Sequence, residues 1–548
     1  MKLNFFVGLP EFEGSIIALA AAAALVFCNV VFADAPATWN SLRQKAQTAV
    51  RQGAYDQAEQ LLNSALALTP PQPSLAAVIL WNDVGSVRHS KRQLPLAEAD
   101  FKRALSLNAN LTLPDEDQQA VTLNNLGTLA SEQRDPLGAE RLLREAHALL
   151  QSKGKGRSPT AALVLGNIAL SLQQQGRFQE ASSQYDVAAA DVRSFFTEQS
   201  LEFARTLTNR ALLRILIGRY EDAVADGRRA IQIESALPFV SPFDRALSNN
   251  NLGFALSETG RYAEAGLYLR EAVRYEEADP KAREQLVASE NNLVALEEKQ
   301  GHLLAAKQHE MRILGLLRQG VQVDDLTRVA VWNNLGRTAT AESKFGEARD
   351  YLTKALKLSE HAGGRARVRY AATLSNLAAL ESAQKHYKKA EHLYRRALEI
   401  DSSLLGEQHP EVASDTSNLA TQLFYQKHYA EALERYASAL AIMQRSFGPA
   451  SPHVARTFRN MAVTHYASRS YERSATAYGQ AVEALIRSSA VPDPRLPAWL
   501  REYAASLRKV QRYAEAEAAE TRALGIEVKA ILAQGPSIPA STSVGGAS

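Results

Sequence analysis

Residues 249–272 read NNNLGFALSETGRYAEAGLYLREA. Asparagines and a Leu-Gly pair open the stretch, Gly260 interrupts it, and Tyr262, Ala265 and Ala272 follow. The same order returns along the chain. Aligned on the second polar residue, the anchors are Asp83, Asn125, Asn167, Asn209, Asn251, Asn292, Asn334, Asn376, Asn418, Asn460 and Glu502, in steps of 42 residues with a single step of 41. Fourteen residues past the anchor, alanine recurs from Ala97 to Ala516, with Ser474 the exception. Twenty-one residues past it, alanine recurs from Ala104 to Ala523, with Ile313 the exception. Eleven residues past it most units carry an aromatic: Phe178, Tyr220, Tyr262, Phe345, Tyr387, Tyr429, Tyr471 and Tyr513. An earlier unit with Tyr55, Ala58 and Ala65 fits without the asparagine, which makes twelve units. Self-similarity at a fixed period is the mark of a repeat array.

Each unit reads as a helical hairpin. Over residues 369–400, Ala372, Leu374, Leu377 and Leu380 form one apolar periodic stretch. Tyr387, Ala390, Leu393, Tyr394, Ala397 and Leu398 form another, and polar Gln384-Lys385-His386 separates the two. Elsewhere this turn holds Gly53, Gly176, Gly218, Gly260 or Gly301, which suits the left-handed residue that ends a helix. The alanines let two helices approach closely, and the aromatic at the start of the second helix is expected to fill the wedge between hairpins. One hairpin cannot bury its apolar face, but stacked neighbours can. The fold class is therefore all-α: a solenoid of about twelve stacked helix-turn-helix hairpins.

The 548 residues would otherwise suggest three or four domains. With 62 Lys+Arg against 59 Asp+Glu, the net charge of +3 gives no reason to expect nucleic acid as a partner. The single cysteine, Cys28, excludes a disulfide framework, a structural zinc site and a catalytic thiol elsewhere. Cys28 lies in an uncharged run, IIALAAAAALVFCNVVFA, over residues 16–33. Small residues at Ala33 and Ala35 suit signal-peptide cleavage, placed after Ala33. Lys2 is the sole basic residue before the run and Glu11 and Glu13 oppose it, so residues 16–33 as an uncleaved anchor to the inner membrane is the alternative. Either way the body is exported, periplasmic or secreted. The organisation is residues 1–33 as signal peptide or anchor, 34–530 as the array, and 531–548 as a Gly/Ser/Pro-rich tail expected to be disordered. Residues 151–159 read as a basic flexible loop, and three prolines break the pattern over 490–497.

The pattern resembles the tetratricopeptide repeat. The resemblance rests on Leu126-Gly127, Leu252-Gly253 and Leu335-Gly336, on the turn Gly260-Arg-Tyr-Ala-Glu-Ala265, and on the later alanine. The usual period of that family is shorter. A period of 42 resembles its longer-helix variant in kinesin light chains, as do the loops Leu405-Gly-Glu-Gln-His-Pro-Glu-Val-Ala413 and Phe447-Gly-Pro-Ala-Ser-Pro-His-Val-Ala455. The resemblance covers about residues 38–530. It implies a right-handed α-solenoid whose first helices face a concave groove, and protein or peptide partners. It does not imply kinesin transport.

No catalytic constellation emerges. There is no phosphate-binding glycine loop after a strand and no nucleophile elbow. The pairs His302/His309 and His386/His392 lack metallohydrolase spacing, and His409 and His453 sit in equivalent loops. The reading is a non-catalytic chain with no cofactor and no metal. The asparagine ladder asks for a reason, because asparagine is a mediocre helix former. In the resembling family this register faces the groove, where an amide can grip the N–H and C=O of an extended peptide. Asn125, Asn167, Asn209, Asn251, Asn292, Asn334, Asn376, Asn418 and Asn460 are thus candidate peptide-binding residues. The alternative is that each bonds the adjacent repeat and sets superhelix geometry. Leu170, Leu212, Phe254 and Ala295 are apolar or small groove neighbours, whereas Arg337, Phe424, Tyr425, Arg456, Arg459 and Tyr466 are expected to form a specificity pocket for an aromatic or acidic side chain. Packing between hairpins is the other role open to Phe424 and Tyr466. The function expected is an exported repeat scaffold that binds proteins or extended peptides. The rival is a membrane-tethered component that organises an envelope complex through its outer faces. Oligomeric state is not legible.

Overall fold

The structure of the chain, a computed structural model, describes residues 37–533 except 92, 134, 176, 239, 279–281, 361–365, 489–492 and 494. Residues 1–33, read above as a signal peptide or anchor, and the residues from 534 onward lie outside the described residues. Among the described residues there are twenty-four helices and no strand. They pair as α1 (Ala37–Arg51) with α2 (Tyr55–Leu66), α3 (Leu75–Ser90) with α4 (Leu94–Ala109), α5 (Glu116–Glu132) with α6 (Pro136–Ser152), and α7 (Pro159–Gln174) with α8 (Phe178–Phe196). Next come α9 (Leu201–Leu216) with α10 (Tyr220–Ala236), α11 (Pro242–Glu258) with α12 (Tyr262–Glu277), α13 (Arg283–Gln300) with α14 (Leu303–Arg318), and α15 (Asp325–Ala341) with α16 (Phe345–Glu360). Last are α17 (Ala366–Ala383) with α18 (Tyr387–Leu405), α19 (Pro410–Tyr425) with α20 (Tyr429–Phe447), α21 (Pro452–Ala467) with α22 (Tyr471–Arg487), and α23 (Leu496–Lys509) with α24 (Tyr513–Ala533). The hairpins group into an N-terminal unit, residues 37–258 with 262–376, and a C-terminal unit, residues 377–533 with 259–261.

The two helices of a hairpin start differently. First helices often begin on a side-chain cap: Ser74, Asp115, Ser158, Ser200, Asp324 and Ser451 each accept the N–H three residues on, which satisfies one orphan donor of the first turn. Second helices start straight from the turn, except α6, whose first turn Asp135 caps. Gly218 N–H donates to Ile215 O and Arg219 N–H to Arg214 O, closing the end of α9 with the turn residue left-handed. The same bonds close α17, α19 and α21, but there the left-handed residues are Lys385, Lys427 and Arg469.

Within a hairpin the helices nearly touch. A Cβ on Gly253 would lie 2.8 Å from Leu269 Cγ, and one on Gly336 would lie 2.6 Å from Leu352 Cγ, so the Leu-Gly pair marks the contact between first and second helices. The alanines fourteen residues past the anchor are fully buried, and the exception Ser474 spends its hydroxyl on Ala462 O at 2.8 Å. Gly253→Val is expected to destabilise the N-terminal unit by roughly 1–3 kcal/mol through overpacking. Urea unfolding measures it, and a shift within experimental error would mean that Leu269 yields freely.

Two expectations need correction. The aromatics at the start of the second helices do not fill the wedge uniformly: Tyr220 is buried, but Tyr513 is 63% exposed. The large core side chains stand seven residues further on, at Phe101, Tyr185, Tyr394, Tyr436 and Tyr478. The segment 151–159 is basic but held, because Lys153, Lys155 and Arg157 pair with Glu116, Asp117 and Asp191.

Candidate functional site

The asparagine ladder runs through the middle of the first helices α5 to α21. Asn125, Asn251, Asn292, Asn334, Asn376, Asn418 and Asn460 are buried, while Asn167 and Asn209 are half-buried. Four amides reach back to the preceding first helix. Asn167 Nδ2 donates to Asn124 Oδ1 at 2.9 Å, Asn292 Nδ2 to Asn250 Oδ1 at 2.9 Å, and Asn334 Nδ2 to Asn291 Oδ1 at 2.7 Å. Asn251 Nδ2 donates to Thr208 O at 3.3 Å. The doubled asparagines gain a role from this: Asn124, Asn250 and Asn291, each the residue before an anchor, accept from the anchor of the next hairpin. Where a carboxylate replaces the anchor, the preceding helix donates instead. Arg43 Nε meets Asp83 Oδ2 at 2.5 Å, and Arg459 grips both oxygens of Glu502 at 2.6 and 2.8 Å.

The ladder changes character in the C-terminal unit. Asn418 and Asn460 are 0% exposed, and neither Nδ2 nor Oδ1 of either finds a hydrogen-bond partner among the described residues. Beside them lie most of the residues assigned to the specificity pocket. Tyr425 stacks on Tyr387 with centroids 4.8 Å apart, and Phe424 meets Tyr425 edge-on at 5.4 Å and Tyr429 at 5.7 Å. Both also pack against the core made by Ala462, Val463 and Tyr478. Tyr466 meets Tyr471 edge-on at 5.2 Å. Arg456 lies 3.4 Å from His453 Nδ1, and Arg459 is buried on Glu502. Arg337 belongs to the N-terminal unit, where it pairs with Glu298. The groove neighbours Leu170, Leu212, Phe254 and Ala295 are buried.

The histidines hold structure. His302, His309 and His386 each contact a glutamate, His409 caps α19, and His453 stacks on Phe447 at 4.2 Å. Among the described residues no group of acidic, histidine or cysteine side chains is arranged to hold a metal ion.

A feature that the ladder hid is a pair of carboxyls at the seams between hairpins. Glu276 on α12 lies 2.9 Å from Ser289 Oγ on α13, and Ser289 Oγ lies 3.2 Å from Asn250 Oδ1. A serine hydroxyl has one proton. Given to Asn250, that proton leaves Glu276 to donate its own to Ser289. Burial pushes Glu276 up to about 8, helped by the Glu290 charge and opposed by the Ser289 contact. One repeat earlier Glu234 lies 2.5 Å from Ser248 Oγ, which meets Thr208 Oγ1 at 2.8 Å. Burial pushes Glu234 up to about 8 as well. Glu310, buried on α14, is pushed up to about 7 by burial and by nearby Glu298 and Glu342.

Two family models, both described as tetratricopeptide repeat, match this chain, one over residues 75–152, 327–403 and 411–487 and the other over 246–275. These spans coincide with whole hairpins: α3–α6, α15–α18, α19–α22 and α11–α12. This chain carries tetratricopeptide repeats. Repeats of this family are protein-interaction scaffolds and are generally non-catalytic. Comparison with curated proteins finds no match. Among solved structures, BtubC (BKLC) of P. vanneervenii is similar at 22% identity over 49% of this chain and 99% of that one, with a TM-score of 0.35. A Podosopora anserina protein described as a kinesin light chain with nearly identical TPR-like repeats is similar at 18% identity over 37% and 97%, with a TM-score of 0.33. The apo form of the quorum sensor NprR from B. thuringiensis is similar at 15% identity over 66% and 98%, with a TM-score of 0.48.

Proposed function

We propose that this chain is an exported, non-catalytic scaffold that binds an extended segment of a partner protein along its row of first helices. The observation that carries the reading is the division of the ladder. In the N-terminal unit Asn167, Asn251, Asn292 and Asn334 serve the preceding hairpin. Asn125, Asn209 and Asn376 make no such bond, but Asn418 and Asn460 are the two ladder members with both amide atoms buried and without a partner among the described residues. A buried amide left unpaired costs about 1–3 kcal/mol, so these two positions gain most from the alternating N–H and C=O groups of an incoming strand. Their burial means that the strand enters as α19 and α21 part locally, a population shift paid from binding energy.

Export rests on the uncharged run of residues 16–33. No described helix is long and apolar enough to cross a membrane. The rival reading, a tethered component working through its outer faces, draws support from α14, where Leu304 and Met311 are 75% and 58% exposed. Sequencing the N-terminus of the exported protein separates cleavage from an anchor.

The groove is tested with two paired variants and photo-crosslinked capture of partners from a cell-envelope extract. Asn292→Ala with Asn334→Ala is expected to lose about 1–2 kcal/mol of stability. Asn418→Ala with Asn460→Ala is expected to keep or gain stability and to lose the captured partner. Capture unchanged in the second pair would sink the groove reading.

A further inference from the structure

The turns that join the two helices of each hairpin form one edge of each unit, and on this edge the two units differ. Nine residues past the anchor the turn residue is left-handed. In the N-terminal unit Gly218, Gly301 and Ser343 hold this position, with φ of 74°, 81° and 61°. In three consecutive hairpins of the C-terminal unit it is held by Lys385, Lys427 and Arg469, with φ of 66°, 68° and 62°. The turns close with the same backbone bonds in both cases. Glycine adopts this conformation freely and a residue with a Cβ does not. Ser343 and Gln511 bear the same strain at this register, so what sets the three consecutive hairpins apart is the charge that they place on it.

The side chain in question is a cation, and it is not spent within the chain. All three are exposed. Cations at the turns of the N-terminal unit are neutralised: Lys91 by Asp56 and Glu59, Arg177 by Glu140 and Glu180, Arg219 by Asp222. No carboxylate among the described residues lies within ion-pair distance of Lys385, Lys427 or Arg469. The nearby acids are taken, Glu381 by His386 and both Glu391 and Glu431 by Arg395. Between these cations stand half-buried rings, the Tyr387–Tyr425 stack with Phe424 and the Tyr466–Tyr471 pair.

We propose that this edge of the C-terminal unit is a docking surface for an acidic, extended segment of a partner protein. Packed helices lie about 8–10 Å apart, so equivalent residues of neighbouring hairpins repeat at roughly that distance. An extended chain advances about 3.3 Å per residue, so a carboxylate at every third position meets one turn cation per hairpin. The rings between them receive the intervening side chains. A nucleic acid fits less well, because a chain with a net charge of +3 offers no broad basic field. Phe424, Tyr425 and Tyr466 end first helices, but the turn cations do not belong to the asparagine ladder, so variants of the cations and of Asn418 and Asn460 test the two readings separately.

The test uses the full chain and a fluorescein-labelled peptide of Glu-Ala-Tyr repeats. Its controls are the Gln-Ala-Tyr peptide, a version with the glutamates adjacent, single-stranded DNA, and phosphatidylglycerol vesicles. The Glu-Ala-Tyr peptide is expected to bind best, and more weakly as salt rises. The variant Lys385→Gly, Lys427→Gly, Arg469→Gly is expected to melt higher than the parent, because strain is relieved, and to lose roughly tenfold or more in affinity as three charge pairs go. Equal affinity in this better-folded variant overturns the proposal. So does the absence of peptide binding, or stronger binding of DNA or vesicles than of the glutamate peptide.

Discussion

Raising the pH from about 5 to about 8 is expected to lower the unfolding free energy of the N-terminal unit by several kcal/mol, a fall much steeper than an ordinary helical array shows. The cause is the pair of seam carboxyls, Glu234 and Glu276, both pushed up to about 8 by burial. In the unfolded chain each releases its proton near the usual glutamate value; in the folded chain each keeps it to about 8. Between those limits the native state binds more protons than the unfolded state, so stability falls as pH rises. Below the unfolded value the stabilisation is complete, and above the folded value it is gone. A shift of this size is worth on the order of 4 kcal/mol per group, and Glu310, pushed up to about 7, adds in the same direction over a narrower window. Melting curves at several pH values measure the slope. Glu234→Gln with Glu276→Gln keeps a donor toward Ser248 and Ser289 without a titrating proton. It is expected to flatten the slope and raise the melting temperature at about pH 8. An unchanged slope would show that neither carboxyl holds its proton.

Arg459→Ala is expected to cost about 3 kcal/mol and to loosen the last hairpins first. The guanidinium is 4% exposed and holds both oxygens of Glu502, and its removal leaves a carboxylate at the seam between α21 and α23 without its cation. The cost stays below that of a fully buried pair because the Glu502 side chain is 20% exposed. Arg459→Met with Glu502→Leu removes both charges and is expected to recover most of the loss. Trp499, buried within 5.6 Å of Arg459, reports the transition by fluorescence in urea. Loss of partner binding without loss of stability would return Arg459 to the role of a contact residue.

The period, the hairpins and the place of the asparagines on the first helices were legible because a 42-residue repeat makes each position its own control. The core position was harder to read. Its occupant varies, but it varies with the residue that faces it: Gly127 with Leu143, Gly253 with Leu269 and Gly336 with Leu352, against Ala378 with Tyr394 and Ala420 with Tyr436. Both members of the pair are larger in the second set, and reading two registers together would have exposed that they change together. The direction of the amides was not legible at all. Helical spacing says which face Asn292 shares, but the preceding helix and a groove lie close to the same side, and the 2.9 Å contact with Asn250 separates them. The proton at Glu276 depends on Ser289 coming between it and Asn250, which no one-dimensional pattern records.

The backward reach of the ladder has a consequence for synthesis. Asn167, Asn251, Asn292 and Asn334 all donate to a hairpin made before their own. A ribosome adding about 5–20 residues per second releases one repeat every few seconds, whereas helices and their pairing form in microseconds to milliseconds. Each of these amides therefore meets a finished acceptor as its hairpin emerges. The array grows like masonry, with each course keyed into the one beneath it.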